Sequence, residues 1–167
     1  MTEPIPEGFN RVLQALQAAG HPHAPRWLDV PARTAQEAAD ALGVAVGQIA
    51  KSMVFRLLAQ DGGDDTAVLV VTSGDKRVDE QRVAAITGPL TRADARFIKQ
   101  RTGFSIGGVA PLAHAQPPVT LIDRALFQFD AIWAAAGHPN GVFKLVPADL
   151  LRLTGGAPVV DVVQLSQ

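Results

Sequence analysis

The chain predicts an α+β fold: a mixed, partly barrel-like β-sheet surrounded by helices. Three observations predict it. Short apolar segments of strand character are separated unevenly, by a hairpin, by helices and by loops. The helical segments carry their own start and stop residues. A regular β-α-β-α alternation is absent, which argues against a doubly wound parallel sheet. The 167 residues are 47% hydrophobic, enough for one domain with a real core. No linker or composition shift divides them, so residues 1–167 read as a single domain.

Taken in order, Phe9, Val12, Leu13 and Leu16 recur at helical spacing and Gly20 is a stop, giving a first helix. Residues 26–30 suit a short strand. Thr34 with Glu37 forms a capping box ahead of Ala38, Ala41 and Leu42, and Gly43 ends that second helix. Residues 44–50 read as a short helical turn that runs into Lys51. Residues 51–58 and 67–72 are apolar strands, joined through the glycine- and aspartate-rich stretch 61–65 as a hairpin. Residues 79–87 and 94–102 are helices stopped by Gly88 and Gly103. Residues 104–118 hold three prolines, two adjacent glycines and few charges, the texture of an apolar loop. Strands follow at 119–123, 132–136 and 142–146. Pro147 opens a last helix through Leu153, since proline suits the first helical turn. Residues 159–163 close the chain as a strand.

Composition narrows the chemistry. The absence of cysteine excludes disulfides, thiolate catalysis and cysteine-ligated metals. It fits a cytoplasmic protein. The longest apolar runs, 67–71 and 131–136, are too short to cross a bilayer. Met1–Pro4 show no positive region leading into an apolar stretch, so no secretory signal is expected and no membrane partner either. A net charge of -1 argues against coating long DNA; any nucleic-acid contact should be local. No dinucleotide fingerprint, phosphate-binding P-loop or nucleophile elbow occurs. The four histidines show no zinc-binding spacing, so neither metal nor cofactor is expected.

Three stretches could carry chemistry. Lys51 stands at the mouth of an apolar strand. It reads either as an exposed lysine or as a fixed cation for a phosphate or carboxylate. Gly107 and Gly108, with Pro111 three residues on, form a loop able to present bare peptide N–H groups. It is either a tight turn or a binding site for an anion or oxyanion. His138, in a polar turn between two strands, is either a surface histidine or a group that moves a proton near neutral pH.

In this order, the three stretches resemble the YbaK/EbsC, or prolyl-tRNA editing, family, whose relatives include editing domains inserted in bacterial prolyl-tRNA synthetases. The likeness runs through 38–44, 49–55, 78–84, 92–94, 102–104, 107–111 and 145–150, and spans about residues 20–163. It implies the family's mixed, barrel-like fold with one cleft. The implied activity is that of a trans-editing hydrolase, an aminoacyl-tRNA deacylase acting on a small amino acid carried by tRNA-Pro or a related tRNA. By resemblance, Lys51 holds the tRNA 3′ end, Gly107 lies at the aminoacyl carbonyl, and a position near His138 helps read the substrate. The partners so implied are the aminoacyl-tRNA 3′ end and an aminoacyl-tRNA synthetase. Relatives acting on Cys-tRNA(Pro) carry an aromatic residue roughly where this chain has Thr34. Alanine-specific relatives carry asparagine where it has Ser52. An ester needs only positioning, oxyanion stabilisation and a nucleophile. The expected site therefore has Lys51 on the terminal adenosine or its phosphate and the N–H groups of Gly107 and Gly108 on the carbonyl oxygen. Thr34, Ser52, Met53, Phe55, Ile106, Pro111 and His138 line the substrate, and the vicinal ribose hydroxyl or a substrate side chain assists attack. The competing reading is a non-catalytic tRNA- or nucleotide-binding module, or a synthetase-associated partner protein.

Overall fold

The computed structural model describes residues 5–164. Met1–Pro4, on which the expectation about a secretory leader falls, lie outside the described residues. Helix α1 (Glu7–Ala18) buries Val12 and Leu16, the stripe its periodicity marks. A two-residue strand β1 (Arg26–Trp27) precedes α2 (Ala35–Leu42). The Thr34 hydroxyl accepts from the Glu37 N–H, and the Glu37 carboxylate accepts from the Thr34 N–H, closing the expected capping box. A 3₁₀ turn (Val46–Gln48) then delivers the chain to β2 (Ile49–Leu57).

Strand β2 pairs antiparallel with β3 (Thr66–Ser73) along its length, from Ala50 opposite Ser73 to Leu57 opposite Thr66. The connecting turn is fastened by Asp65, whose carboxylate accepts from the Ala59 N–H and the Arg56 guanidinium. Helices α3 (Glu80–Thr87) and α4 (Ala95–Thr102) start on the caps Asp79 and Asp94. Between them lies a three-residue strand, β4 (Leu90–Arg92). After the apolar loop come β5 (Val119–Asp123), a 3₁₀ turn (Arg124–Gln128), β6 (Ile132–Ala135), β7 (Gly141–Leu145), α5 (Pro147–Leu153) and β8 (Val159–Val160).

All eight strands join one mixed sheet in the order β1-β7-β6-β2-β3-β5-β8, with β4 also on β2. The β2–β6, β3–β5 and β5–β8 pairs are parallel and the others antiparallel. Helices pack around it, so the expected α+β class holds. Strand β3 lies at the centre. Its unbroken Val68–Val71 run is fully buried because both faces of the strand are covered. Leu69 and Val71 enter the main core with Phe104, Ile122 and Phe143. Val68 and Val70 face a smaller cluster with Val83 and Leu121.

Strand β1 covers only two of the five residues expected at 26–30, and three further details differ from expectation. The strand β4 has no strand signature of its own and exists by pairing with β2. The 3₁₀ turn after β5 was not foreseen; it is nucleated by the Asp123 carboxylate, which accepts from the Ala125 N–H. The last strand spans two residues rather than 159–163, because Val162 turns into the smaller core and its carbonyl accepts from the Asp79 N–H.

Candidate functional site

The sheet is split at β2. One edge of this strand is filled by β3. The other is shared: β6 reaches only Ile49 and Ala50, and β4 only Phe55, Arg56 and Leu57. Residues 51–54 have no strand partner on that edge. A cavity of about 560 Å³ opens there, within the range that takes a small ligand. Lys51, Ser52, Met53, Thr34, Ile106 and Gly107 all line it, so residues far apart in the chain meet in one hollow.

The Lys51 ammonium donates to the Lys76 carbonyl at 3.0 Å. Burial pushes its pKa down from the ordinary lysine value, and the nearby Arg77 guanidinium adds to this, while Asp75 opposes both. It is therefore a partly dehydrated cation, ready to gain from an anionic ligand. The Ser52 hydroxyl is buried and has no hydrogen-bond partner in the protein. Such an orphan is uncommon and marks a place where a ligand or water completes the bonding. Thr34 contributes wall only, because its hydroxyl is engaged with Glu37 in the capping box.

The Gly107 bend is held from three sides. Gly107 has φ +89, a conformation that favours glycine. Arg11 donates to the carbonyls of Thr102, Gly103 and Ala113 and so ties the start of the loop to its far limb. A His114 ring nitrogen lies 2.7 Å from the Ala110 carbonyl. Burial depresses the His114 pKa, and the Arg11 charge does so further, against the favourable Ala110 contact.

Four expected site residues lie elsewhere. The Gly108 N–H does not face the cavity as a free donor; it donates to the Ser105 carbonyl at 3.0 Å inside the turn. Gly108 is instead a packing position: a Cβ there would lie 2.8 Å from the His138 backbone nitrogen. Phe55 shares a face with Lys51 and Met53, but it is roughly 13 Å farther along the strand than Lys51 and is sealed among Val68, Val70 and Val83. Pro111 is buried within the loop and does not line the cavity. His138 does not line it either. Its ring stacks on Trp27 with centroids 4.7 Å apart, and its Nδ1 accepts from the Asn140 N–H.

The lining also holds Arg33, Asp75 and Trp133, which the sequence reading did not single out. Arg33 stands beside the Thr34 cap with nothing local to set it apart, and its closeness to Gly107 exists only in the fold. Among the described residues no group of three or more His, Asp or Glu side chains is placed to hold a metal ion. No described helix is long and apolar enough to cross a membrane.

Residues 29–153 match the sequence pattern of the aminoacyl-tRNA editing domain. This chain belongs to that family. The editing domain it forms is 31% identical to the YwhH protein of Bacillus subtilis over 130 residues, 77% of this chain and 80% of that protein. It is 33% identical over 97 residues to the proline–tRNA ligase of Limosilactobacillus fermentum, covering 57% of this chain but 17% of the ligase. Its fold superposes on the crystal structure of a candidate trans-editing enzyme for prolyl tRNA synthetase with a TM-score of 0.85 and 36% identity, over 97% of this chain and all of that one. The family assignment and the mixed sheet of the editing domain both agree with the resemblance read from the sequence.

Proposed function

We propose that residues 1–167 act as one editing domain in trans, a deacylase that hydrolyses the ester between a wrongly attached small amino acid and the 3′ end of tRNA-Pro or a related tRNA. The observation that carries this reading is the meeting of the Lys51 ammonium and the Gly107 bend in one apolar cavity. Lys51 holds the terminal adenosine or its phosphate as a point charge. The Gly107 N–H, which makes no hydrogen bond within the described residues, faces the ester carbonyl. Water attacks with help from the vicinal ribose hydroxyl, so the protein needs no nucleophile of its own. Met53 and Ile106 limit the size of the amino acid by exclusion, which discriminates better than grading by one methylene. A compartment in the cytoplasm and a docking partner among the synthetases fit a substrate of this kind.

The test is a deacylation assay on a panel of mischarged tRNAs. The wild type is expected to release at least one small amino acid. Lys51→Ala is expected to abolish turnover while circular dichroism and the melting midpoint show an intact fold. Tight binding of uncharged tRNA without hydrolysis of any panel member would favour a binding module instead. Full turnover by folded Lys51→Ala would remove Lys51 from the mechanism.

A further inference from the structure

We infer that Arg33 is a catalytic residue of the proposed deacylation, its guanidinium stabilising the oxyanion that forms at Gly107 as the second donor beside the Gly107 N–H. The inference rests on the deacylase reading. Its starting point is a shortage. An ester carbonyl that becomes tetrahedral places a full negative charge on one oxygen, and preorganised donors at that oxygen lower the barrier. The bend supplies fewer donors than its two glycines suggest, because the Gly108 N–H is engaged with the Ser105 carbonyl. The Gly107 N–H is left on its own.

Arg33 is the cation at this point. A Cβ on Gly107 would lie 3.2 Å from the Arg33 Cγ and 3.4 Å from its Cα and Cβ. The arginine stem therefore lies across the glycine, with its guanidinium only a few bonds further on. The lack of a side chain at residue 107 is what lets the stem come so close. The Arg33 side chain is exposed and makes no hydrogen bond or ion pair among the described residues. Lys51, the other cation of the cavity, is already tied to the Lys76 carbonyl. Asp75, the one carboxylate in the lining, accepts from the Ser73 hydroxyl and does not neutralise Arg33. The Arg33 charge is felt on the far side of the bend, where, second to burial, it depresses the His138 pKa.

In the reaction, the water oxygen bonds to the carbonyl carbon and the π pair moves onto the carbonyl oxygen. That oxygen accepts from the Gly107 N–H and the Arg33 guanidinium. Collapse restores the carbonyl and breaks the bond to the ribose oxygen. The proton given up by water passes through the vicinal hydroxyl to that oxygen, leaving a free amino acid and a tRNA 3′ hydroxyl.

Single-turnover deacylation, with enzyme in excess over a mischarged tRNA that the wild type cleaves, tests the role. Arg33→Ala is expected to lower the maximal rate roughly 100-fold, the loss typical of a removed oxyanion donor. The enzyme concentration at half-maximal rate should change by no more than about threefold. Added guanidinium ion should restore part of the rate, and Arg33→Lys, which keeps the charge without the planar fork, should fall between the two. Melting midpoints monitor the fold, and Arg33→Lys carries the test if Arg33→Ala does not fold. A raised half-saturation with an unchanged maximal rate, together with a salt slope shallower by about 0.7, would make Arg33 a phosphate contact and overturn the assignment. An unchanged rate and half-saturation overturn it as well. A wild type that cleaves no mischarged tRNA defeats the deacylase reading itself, whereas an active wild type with an equally active Arg33→Ala defeats only this role.

Discussion

At Ser52 a hydroxyl is enclosed without a partner, while four residues' worth of strand edge around it stands open. Removing that hydroxyl breaks no bond within the protein. Leaving a polar group buried and unpaired costs roughly 1–3 kcal/mol, partly offset here by local packing. Ser52→Ala is therefore expected to hold or raise stability, by up to about 1 kcal/mol in urea unfolding. A lowered midpoint would mean that the hydroxyl is bonded in solution. Gly108 is the opposite case. A methyl there would meet the His138 backbone nitrogen at 2.8 Å and Cα at 2.9 Å, and backbone cannot swing aside like a flexible side chain. Gly108→Ala is expected to destabilise by about 1–3 kcal/mol, as overpacking does. A midpoint equal to that of the wild type would show that the two loops are free to part. Sequence alone marked Gly108 as a glycine of interest, but it could not tell a bare N–H from a tight packing contact. The donor's direction is decided by Ser105 and the space by His138, and the latter lies on a different loop.

At the scale of elements, the loop 104–118 carries Gly107 and is pinned by Arg11 and His114 rather than by strand pairing. This gives the loop a pH dependence. The His114 pKa is depressed in the folded chain, by burial first, below the ordinary histidine value of 6.5. In the window from 6.5 down to that lowered value, the unfolded chain takes up a proton and the folded chain does not. Stability from this group is then complete above pH 6.5 and is lost as pH falls through the window. His114→Gln keeps a donor for the Ala110 carbonyl and cannot titrate. The wild type is expected to lose more stability than this variant between pH 7.5 and 5, read as urea midpoints; equal losses would exclude His114 as the source. Elements with chemistry of their own were legible in the sequence. Thr34 with Glu37 announces a helix start and is seen capping one, and the helices expected from 79 and 94 begin on the caps Asp79 and Asp94. The strand β4 was not legible, since three residues paired to β2 hold no local period. Phe55 shows the same limit within the site. Alternation puts it on the Lys51 face, but where the cavity ends along β2 depends on how far β6 and β4 reach.

Over the whole molecule, the charge is balanced. Fifteen Lys and Arg face sixteen Asp and Glu, and four of the cations outside the cavity are paired with a carboxylate. Arg56 pairs with Asp65 at 2.7 Å, Arg124 with Asp161 at 3.3 Å and Arg152 with Asp149 at 3.5 Å. Exposed pairs of this kind add little stability, and each takes one charge away from the displacement of counterions on RNA. Lys51 and Arg33 are the cations presented to the cavity itself. Each phosphate contact on a single strand contributes about 0.7 to the slope of log affinity against log salt. With Arg33 assigned to the oxyanion, one contact at the tRNA terminus, through Lys51, then predicts a slope of about -0.7. Titrations of fluorescent tRNA at several salt concentrations check this, and Lys51→Ala is expected to make the slope shallower by about 0.7. A steep slope, of magnitude about 4 or more, would place the binding energy on the outer surface, on residues such as Arg92, Arg96 and Lys99 of β4 and α4. With the shallow slope, affinity for the body of the tRNA has to come from elsewhere, and a synthetase already holding the tRNA is the kind of partner that supplies it. Adding the cognate synthetase should then lower the half-saturating concentration for deacylation while leaving the maximal rate, which is set inside the cavity, unchanged.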